Sequence, residues 1–167
     1  TMVVDEPFNA VQLMAYGWEH HEGVQDILEQ YETDWRKVVA TLTGNIPENK
    51  AIYYQKHQAC HIVKGIPLDW ILTLSNCFLI RSPKEVIASY LQKWHEVNQG
   101  WLGYPKQQEI FYFVKQQTGK VPPVIDARDL QDYPRQTLTK LCEKIGVPFS
   151  NSMLSWDCLL YTSDAAD

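Results

Sequence analysis

Between Cys77 and Tyr90 the chain passes from an unbroken apolar run, Cys77-Phe78-Leu79-Ile80, through Arg81 and Ser82 into Pro83 and a helical period. An apolar run of that length suits a strand buried on both faces, a habit of parallel sheets. Pro83 suits a first helical position, where its missing N–H costs nothing. Val86, Ile87, Tyr90, Leu91 and Trp94 then share one face of a helix expected over Lys84–Val97. A strand, a tight turn and a helix in direct succession point to the α/β class more firmly than any other segment does.

The remaining chain repeats the alternation. Apolar residues at helical spacing run from Phe8 to Tyr16 and stop at Gly17; two more amphipathic stretches cover Val24–Tyr31 and Trp35–Leu42, the second with Thr33 or Asp34 as N-cap. Ala51–Lys56 is β-rich and turns polar at its end, which predicts a strand whose C-terminus faces a site. Leu68–Leu74 predicts one or two helical turns, Pro105–Gln117 a helix closed by Gly119, and Pro123–Ala127 a short strand. Pro134 opens a last helix with Leu138, Leu141, Cys142 and Ile145 on one face and Gly146 as terminator. Such alternation predicts a parallel sheet flanked by helices on both faces, with ligands gathering at the C-terminal ends of the strands.

Composition narrows the function classes. A chain of 167 residues, 45% hydrophobic, suits one domain with a real core. The formal charge of −5 and the absence of a basic stripe argue against a nucleic-acid partner, while an anionic small ligand needs only a few local cations. The apolar run Trp70–Ile80 is interrupted by Ser75 and Asn76 and falls short of the roughly 20 residues that span a bilayer. No secretory signal is visible, and Cys60, Cys77 and Cys142 suit reduced core thiols, so a soluble, cytoplasmic protein without a membrane partner is expected. His57, Cys60 and His61 lie close in sequence but have no second ligand pair at zinc spacing, so no metal site is expected.

Both ends carry expectations of their own. Thr1–Phe8 opens on a short strand running straight into a loop, which places the natural start upstream. Residues 1–156 are expected to be one partial domain, truncated at both ends. The tail from 157 to 167, taken back into codons, resembles a translated library-preparation adapter and is read as non-native.

Arg81 stands directly after the apolar strand and Ser89 lies eight positions on, within the helix that Pro83 begins. A guanidinium fork, a serine hydroxyl and the N–H groups of a helix start are together a phosphate-binding set; an Arg–carboxylate pair and a serine bonded to its own helix are the plainer alternative. The stretch Phe78-Leu79-Ile80-Arg81-Ser82-Pro83-Lys84-Glu85-Val86-Ile87-Ala88-Ser89-Tyr90 closely resembles the 3′-phosphate-binding motif of sulfotransferases. Asp126-Ala127-Arg128-Asp129-Leu130 with Pro134 and Ile145-Gly146-Val147-Pro148-Phe149 resembles that family's late strand-loop-helix unit, and Asp5-Glu6-Pro7-Phe8 is a third match. The resemblance spans roughly Val3 to Trp156 and is nearest to bacterial sulfotransferase-like proteins, some of which carry branched-chain aminotransferase names.

The resemblance implies a P-loop NTPase-like fold, 3′-phosphoadenosine 5′-phosphosulfate as co-substrate, no required metal, and a small-molecule acceptor. It implies that Arg81 and Ser89 grip the donor's 3′-phosphate. Lys56-His57 occupies the place where the family keeps a basic or acid-base residue near the reacting sulfate, and His57, with an ordinary imidazole pKa of about 6.5, is the first choice of base. Glu6 is the rival base; a core hydrogen bond for His57 and a helix-capping role for Glu6 stay open. The family's phosphate loop, which would precede Thr1, has no counterpart in the chain, so the fragment by itself is expected to be inactive. Two other classes remain: a P-loop nucleotide or small-molecule kinase, for which Asp126 is the tempting metal-holding acid, and a degenerate nucleotide-binding domain. Tyr16, Trp18, Trp94, Trp101 and Tyr104 either line an aromatic acceptor site or pack in the core. Neither the acceptor nor the oligomeric state is legible.

Overall fold

The computed structural model of the chain describes residues 1–17, 23–93, 97–98 and 100–155. They divide into two compact units, one made of Thr1–Leu74 with Lys84–Val121, the other of Ser75–Pro83 with Pro122–Asp167.

In the first unit, β1 (Met2–Asp5) pairs parallel with β2 (Tyr53–Lys56) in the register Met2 to Tyr53 through Asp5 to Lys56. The ladder continues one step past each end, with Met2 N–H donating to Ile52 C=O at 2.7 Å and Glu6 N–H to Lys56 C=O at 2.9 Å. Three helices fill the connection, as a parallel pair requires: α1 (Asn9–Tyr16), α2 (Val24–Gln30) and α3 (Trp35–Thr43). Helix α1 ends where Gly17 enters the left-handed region at φ 63°, a conformation in which a side chain is strained, and its N–H bonds back to Leu13 C=O. Helix α3 starts at Asp34, whose carboxylate accepts from the Arg36 N–H at 2.9 Å. Both boundaries agree with the residues expected to set them.

After β2 come 3₁₀ turns at Ala59–His61 and Asp69–Thr73, then α4 (Pro83–Lys93) and α5 (Tyr104–Thr118). The expected extension of α4 to Val97, with Trp94 on its apolar face, passes through residues outside the described set. Phe8, Val11, Val38, Leu42, Ile71 and Ile110 belong to this unit's core, and each contributes roughly 1.5–3 kcal/mol by leaving water.

The second unit holds β3 (Phe78–Ile80) and β4 (Val124–Asp126), again parallel, in the register Phe78 to Val124 through Ile80 to Asp126. A short helix α6 (Ala127–Asp132), not expected from the sequence, precedes α7 (Pro134–Ile145), which ends at Gly146 with φ 74°. Cys142 is buried as anticipated, Cys60 is half-buried, and Cys77 is exposed.

Two expectations need correcting. Among the described residues the strands pair two and two, giving two two-stranded parallel sheets in place of one continuous sheet. The apolar run at Phe78–Ile80 is buried only at Phe78, and Leu79 and Ile80 are 54% and 40% exposed. Apolarity in a three-residue strand records what the strand is suited to pack against, and a two-stranded ladder covers little of it. The mixed α/β architecture with parallel pairing stands. No helix among the described residues is long and apolar enough to cross a membrane.

Candidate active site at the ends of the first two strands

Parallel pairing in register brings the C-terminal ends of β1 and β2 side by side, which places Asp5 opposite Lys56 and the next residues, Glu6 and His57, just beyond. Glu6 leaves the strand with φ 46°. The left-handed region costs a residue with a Cβ on the order of 1 kcal/mol, and here two backbone bonds hold it: its N–H donates to Lys56 C=O and its C=O accepts from the Asn9 N–H, each at 2.9 Å. The turn sends the chain into α1 and swings the Glu6 side chain back over the strand ends. Helix α1 has no side-chain cap, so the capping role left open for Glu6 is not the one its carboxylate takes.

That carboxylate is the centre of a polar cluster. Oε1 accepts from the Lys56 ammonium and, at 2.7 Å, from the Gln58 side-chain amide. Lys56 Nζ also reaches Asp5 Oδ1 at 3.0 Å. Oε2 is turned toward His61, whose Nδ1 lies 4.0 Å away. Burial alone would raise the Glu6 pKa, but the hydrogen bonds from Lys56 and Gln58 prevail and hold it below the ordinary glutamate value. Burial alone would lower Lys56, and its bonds to Glu6 and Asp5 hold it above the ordinary lysine value. Both groups are charged at neutral pH.

His57 stands behind the cluster among aromatic rings. Phe8 and Trp70 stack with centroids 5.3 Å apart, and the His57 ring is tilted against both at 6.0 and 5.7 Å. Its Nε2 lies 3.3 Å from Gln55 Oε1. Desolvation, helped by the neighbouring His61, pushes its pKa down to about 4, well below the value of about 6.5 that made it the first choice of base. At neutral pH the ring is uncharged and less basic than a free imidazole.

The remaining sequence candidates fall elsewhere. Arg81 is exposed, directly after β3 in the second unit; Ser89 is half-buried in α4, in the first. Asp126 accepts from the Arg128 N–H at 2.8 Å and is the N-cap of α6, a local structural duty. Tyr16 is exposed, Trp101 and Tyr104 are half-buried, and Trp18 and Trp94 lie outside the described residues. Among the described residues no group of three or more His, Cys, Asp or Glu side chains is arranged to hold a metal ion.

Sequence reasoning missed Gln58 and His61 as parts of the cluster. The visible signal was the density of Lys56-His57-Gln58-Ala59-Cys60-His61, in which Lys56 and His57 were weighed as acid-base residues and His61 only as part of a zinc pattern. The 3₁₀ turn at Ala59–His61 folds His61 back beneath Glu6, and no spacing rule for helices or strands predicts that return.

A family model described as a sulfotransferase domain matches residues 1–166. The chain belongs to the sulfotransferase-domain family. Two curated proteins of Arabidopsis thaliana are similar to it: branched-chain-amino-acid aminotransferase-like protein 2, 31% identical over 155 residues, and protein 1, 33% identical over 156 residues. In each case the alignment covers 93% of this chain and 27% of the relative, so this sulfotransferase-family chain spans about a quarter of the length of those proteins. No solved structure matches it.

Proposed function

We propose that the chain carries the acceptor-activating end and the 3′-phosphate grip of a sulfotransferase with a P-loop NTPase-like layout. It would move the sulfuryl group of 3′-phosphoadenosine 5′-phosphosulfate onto a hydroxyl or amine of a small-molecule acceptor. The observation that carries the reading is the Glu6 carboxylate, tied through one oxygen to Lys56 and Gln58 at the C-terminal ends of two parallel strands. Membership of the sulfotransferase-domain family supports the reaction class.

In this reading Glu6 Oε2 takes the acceptor's proton as the acceptor oxygen attacks sulfur. The S–O bond to the 5′-phosphate breaks, and its electron pair leaves on the bisphosphate. Lys56 sits where a cation opposes the charge that builds on the moving group, and sulfuryl transfer leans on such alignment and charge stabilisation. His57, uncharged and tilted against Phe8 and Trp70, shapes the apolar side of the acceptor's seat. The family resemblance gives Arg81 and Ser89 the part of gripping the donor's 3′-phosphate, which would separate the donor from ordinary adenine nucleotides. A soluble, cytoplasmic setting belongs to the same reading, as does a partial sulfotransferase-like domain over residues 1–156 with a non-native tail at 157–167.

Calorimetric titration of the full-length natural protein with 3′-phosphoadenosine 5′-phosphate tests it, with adenosine 5′-monophosphate as control. The bisphosphate is expected to bind and the monophosphate not, and Arg81→Ala should weaken binding roughly 10- to 100-fold, the worth of a charge-assisted hydrogen bond. Equal binding of both nucleotides, or of neither, overturns the donor assignment.

A further inference from the structure

Beyond the groups that the proposed reaction uses, His61 is a buried polar side chain that stands without a role among the described residues. His61 is 7% exposed, and its Nδ1 has no hydrogen-bond partner among the described residues. A buried imidazole nitrogen left unpaired costs about 1–3 kcal/mol, so such atoms are rare unless something else uses them.

The seat of His61 is rigid. The His61 N–H donates to Gln58 C=O at 3.0 Å, and the Ile62 N–H to Ala59 C=O at 3.2 Å. The Gln12 side-chain amide donates to Cys60 C=O at 3.2 Å, which ties the turn to α1. On the other side Gly103, at φ 73°, lets α5 begin against the turn; a Cβ there would meet Cys60 N at 3.2 Å. A ring held this firmly, with Glu6 Oε2 4.0 Å from its Nδ1, defines one direction for that oxygen.

We infer that His61 is a positioning residue for Glu6: its Nδ1–H faces Oε2 across 4.0 Å, and the attraction favours the carboxylate orientation in which the outer lone pair of Oε2 meets the acceptor. The inference rests on the reading of Glu6 as proton acceptor. Two donors saturate Oε1, so the carboxylate can rotate about its bond to Cγ only by breaking them, and His61 closes the remaining side. The opposite tautomer would set an Nδ1 lone pair against the carboxylate, which is repulsive. In the transfer step the proton passes from the acceptor to Oε2, and His61 keeps its own proton throughout. Burial lowers the His61 pKa, against the opposing pull of Glu6, which keeps the ring neutral. The charged and titratable groups around it are Asp5 on β1, Glu6 after it, Lys56 on β2, and His57 beyond β2; Cys60 shares its turn, with Tyr90 of α4 facing that thiol.

Three variants separate positioning from packing. His61→Asn sets an amide N–H near the place of Nδ1, His61→Gln near that of Nε2, and His61→Ala at neither. In the full-length natural protein, His61→Asn is expected to stay within a few-fold of wild-type kcat, while His61→Gln and His61→Ala lose about 100-fold, the lower range for a general base. Affinity for 3′-phosphoadenosine 5′-phosphate should be unchanged in all three. The Glu6 carboxyl titration, followed by carbon NMR, should move upward in His61→Ala and His61→Gln and not in His61→Asn. Equal behaviour of the three, or a Glu6 titration that ignores them, overturns the inference. Nitrogen shifts of wild-type His61 give a further test that needs no variant to fold: the Nδ1–H tautomer is expected, and the Nε2–H tautomer overturns it. A wild type that binds the bisphosphate and transfers no sulfuryl group would sink the reaction reading instead, while the tautomer and the Glu6 titration still decide His61.

Discussion

Both units of the molecule hold a pair of parallel strands, and both pairs end in charged residues, yet the charges are used differently. At the end of β1 and β2, Asp5, Glu6, Lys56 and Gln58 form one connected cluster that faces His61, and in it Glu6 is only 22% exposed. At the end of β3 and β4, Asp126 turns onto the backbone of its own helix, and Arg81 is exposed. A carboxylate that caps a helix is satisfied by local geometry and holds its helix in place. A carboxylate knitted to a lysine fifty residues away is held by tertiary structure, and its second oxygen is left aimed. The first arrangement builds structure; the second suits chemistry.

The sharpest way to break the contrast is to remove the charge from Glu6 without changing its size. Glu6→Gln should lower kcat for sulfuryl transfer by about 100-fold or more and leave bisphosphate affinity as it was; steady-state kinetics with calorimetry reads both. Retained activity would return the base to His57.

The next effect is on stability and is specific to the first unit. His57 has a folded pKa of about 4 against about 6.5 unfolded, so the unfolded chain binds its proton first. Stability is complete above pH 6.5 and declines as the pH falls toward 4, by roughly 3 kcal/mol from this group. Glu6, whose pKa is lowered from 4.5, adds its own loss as the pH falls below about 4.5, and His61, also lowered, acts in the same direction as His57. Urea unfolding at pH 7 and pH 4.5 should show wild type losing more stability than His57→Gln. Equal losses would mean that the ring is not held neutral by burial.

The smallest effect belongs to the second unit. Asp126→Ala removes the N-cap of α6 and should cost about 1 kcal/mol in thermal or urea unfolding, with kcat unchanged. A large loss of activity would mean that Asp126 reaches beyond its helix and would revive the kinase-like reading.

Much of the local structure was legible because its causes are local. Gly17, Gly119 and Gly146 end helices by entering the left-handed region, Asp34 begins one with a side-chain acceptor, and Pro83, Pro105 and Pro134 stand at helix starts. Glu6 and Lys56 were legible as candidates through the family resemblance, Lys56 also from the polar end of its strand. Helix α6 was missed because Ala127–Asp132 is too short to carry a period. His57 was legible as a candidate, but its basicity was not: no spacing announces that Phe8 and Trp70 will enclose it.

By itself, then, the sequence determined the elements, their parallel habit and the residue types at the strand ends, since caps, proline geometry and apolar period act over a few neighbours. Only the tertiary structure decided that Glu6 would bond Lys56 and Gln58 through one oxygen and turn the other to His61, and that Phe8 and Trp70 would enclose His57. Such choices depend on which strands pair and where a turn folds back, and the energies that settle them come from groups brought together across fifty residues of chain.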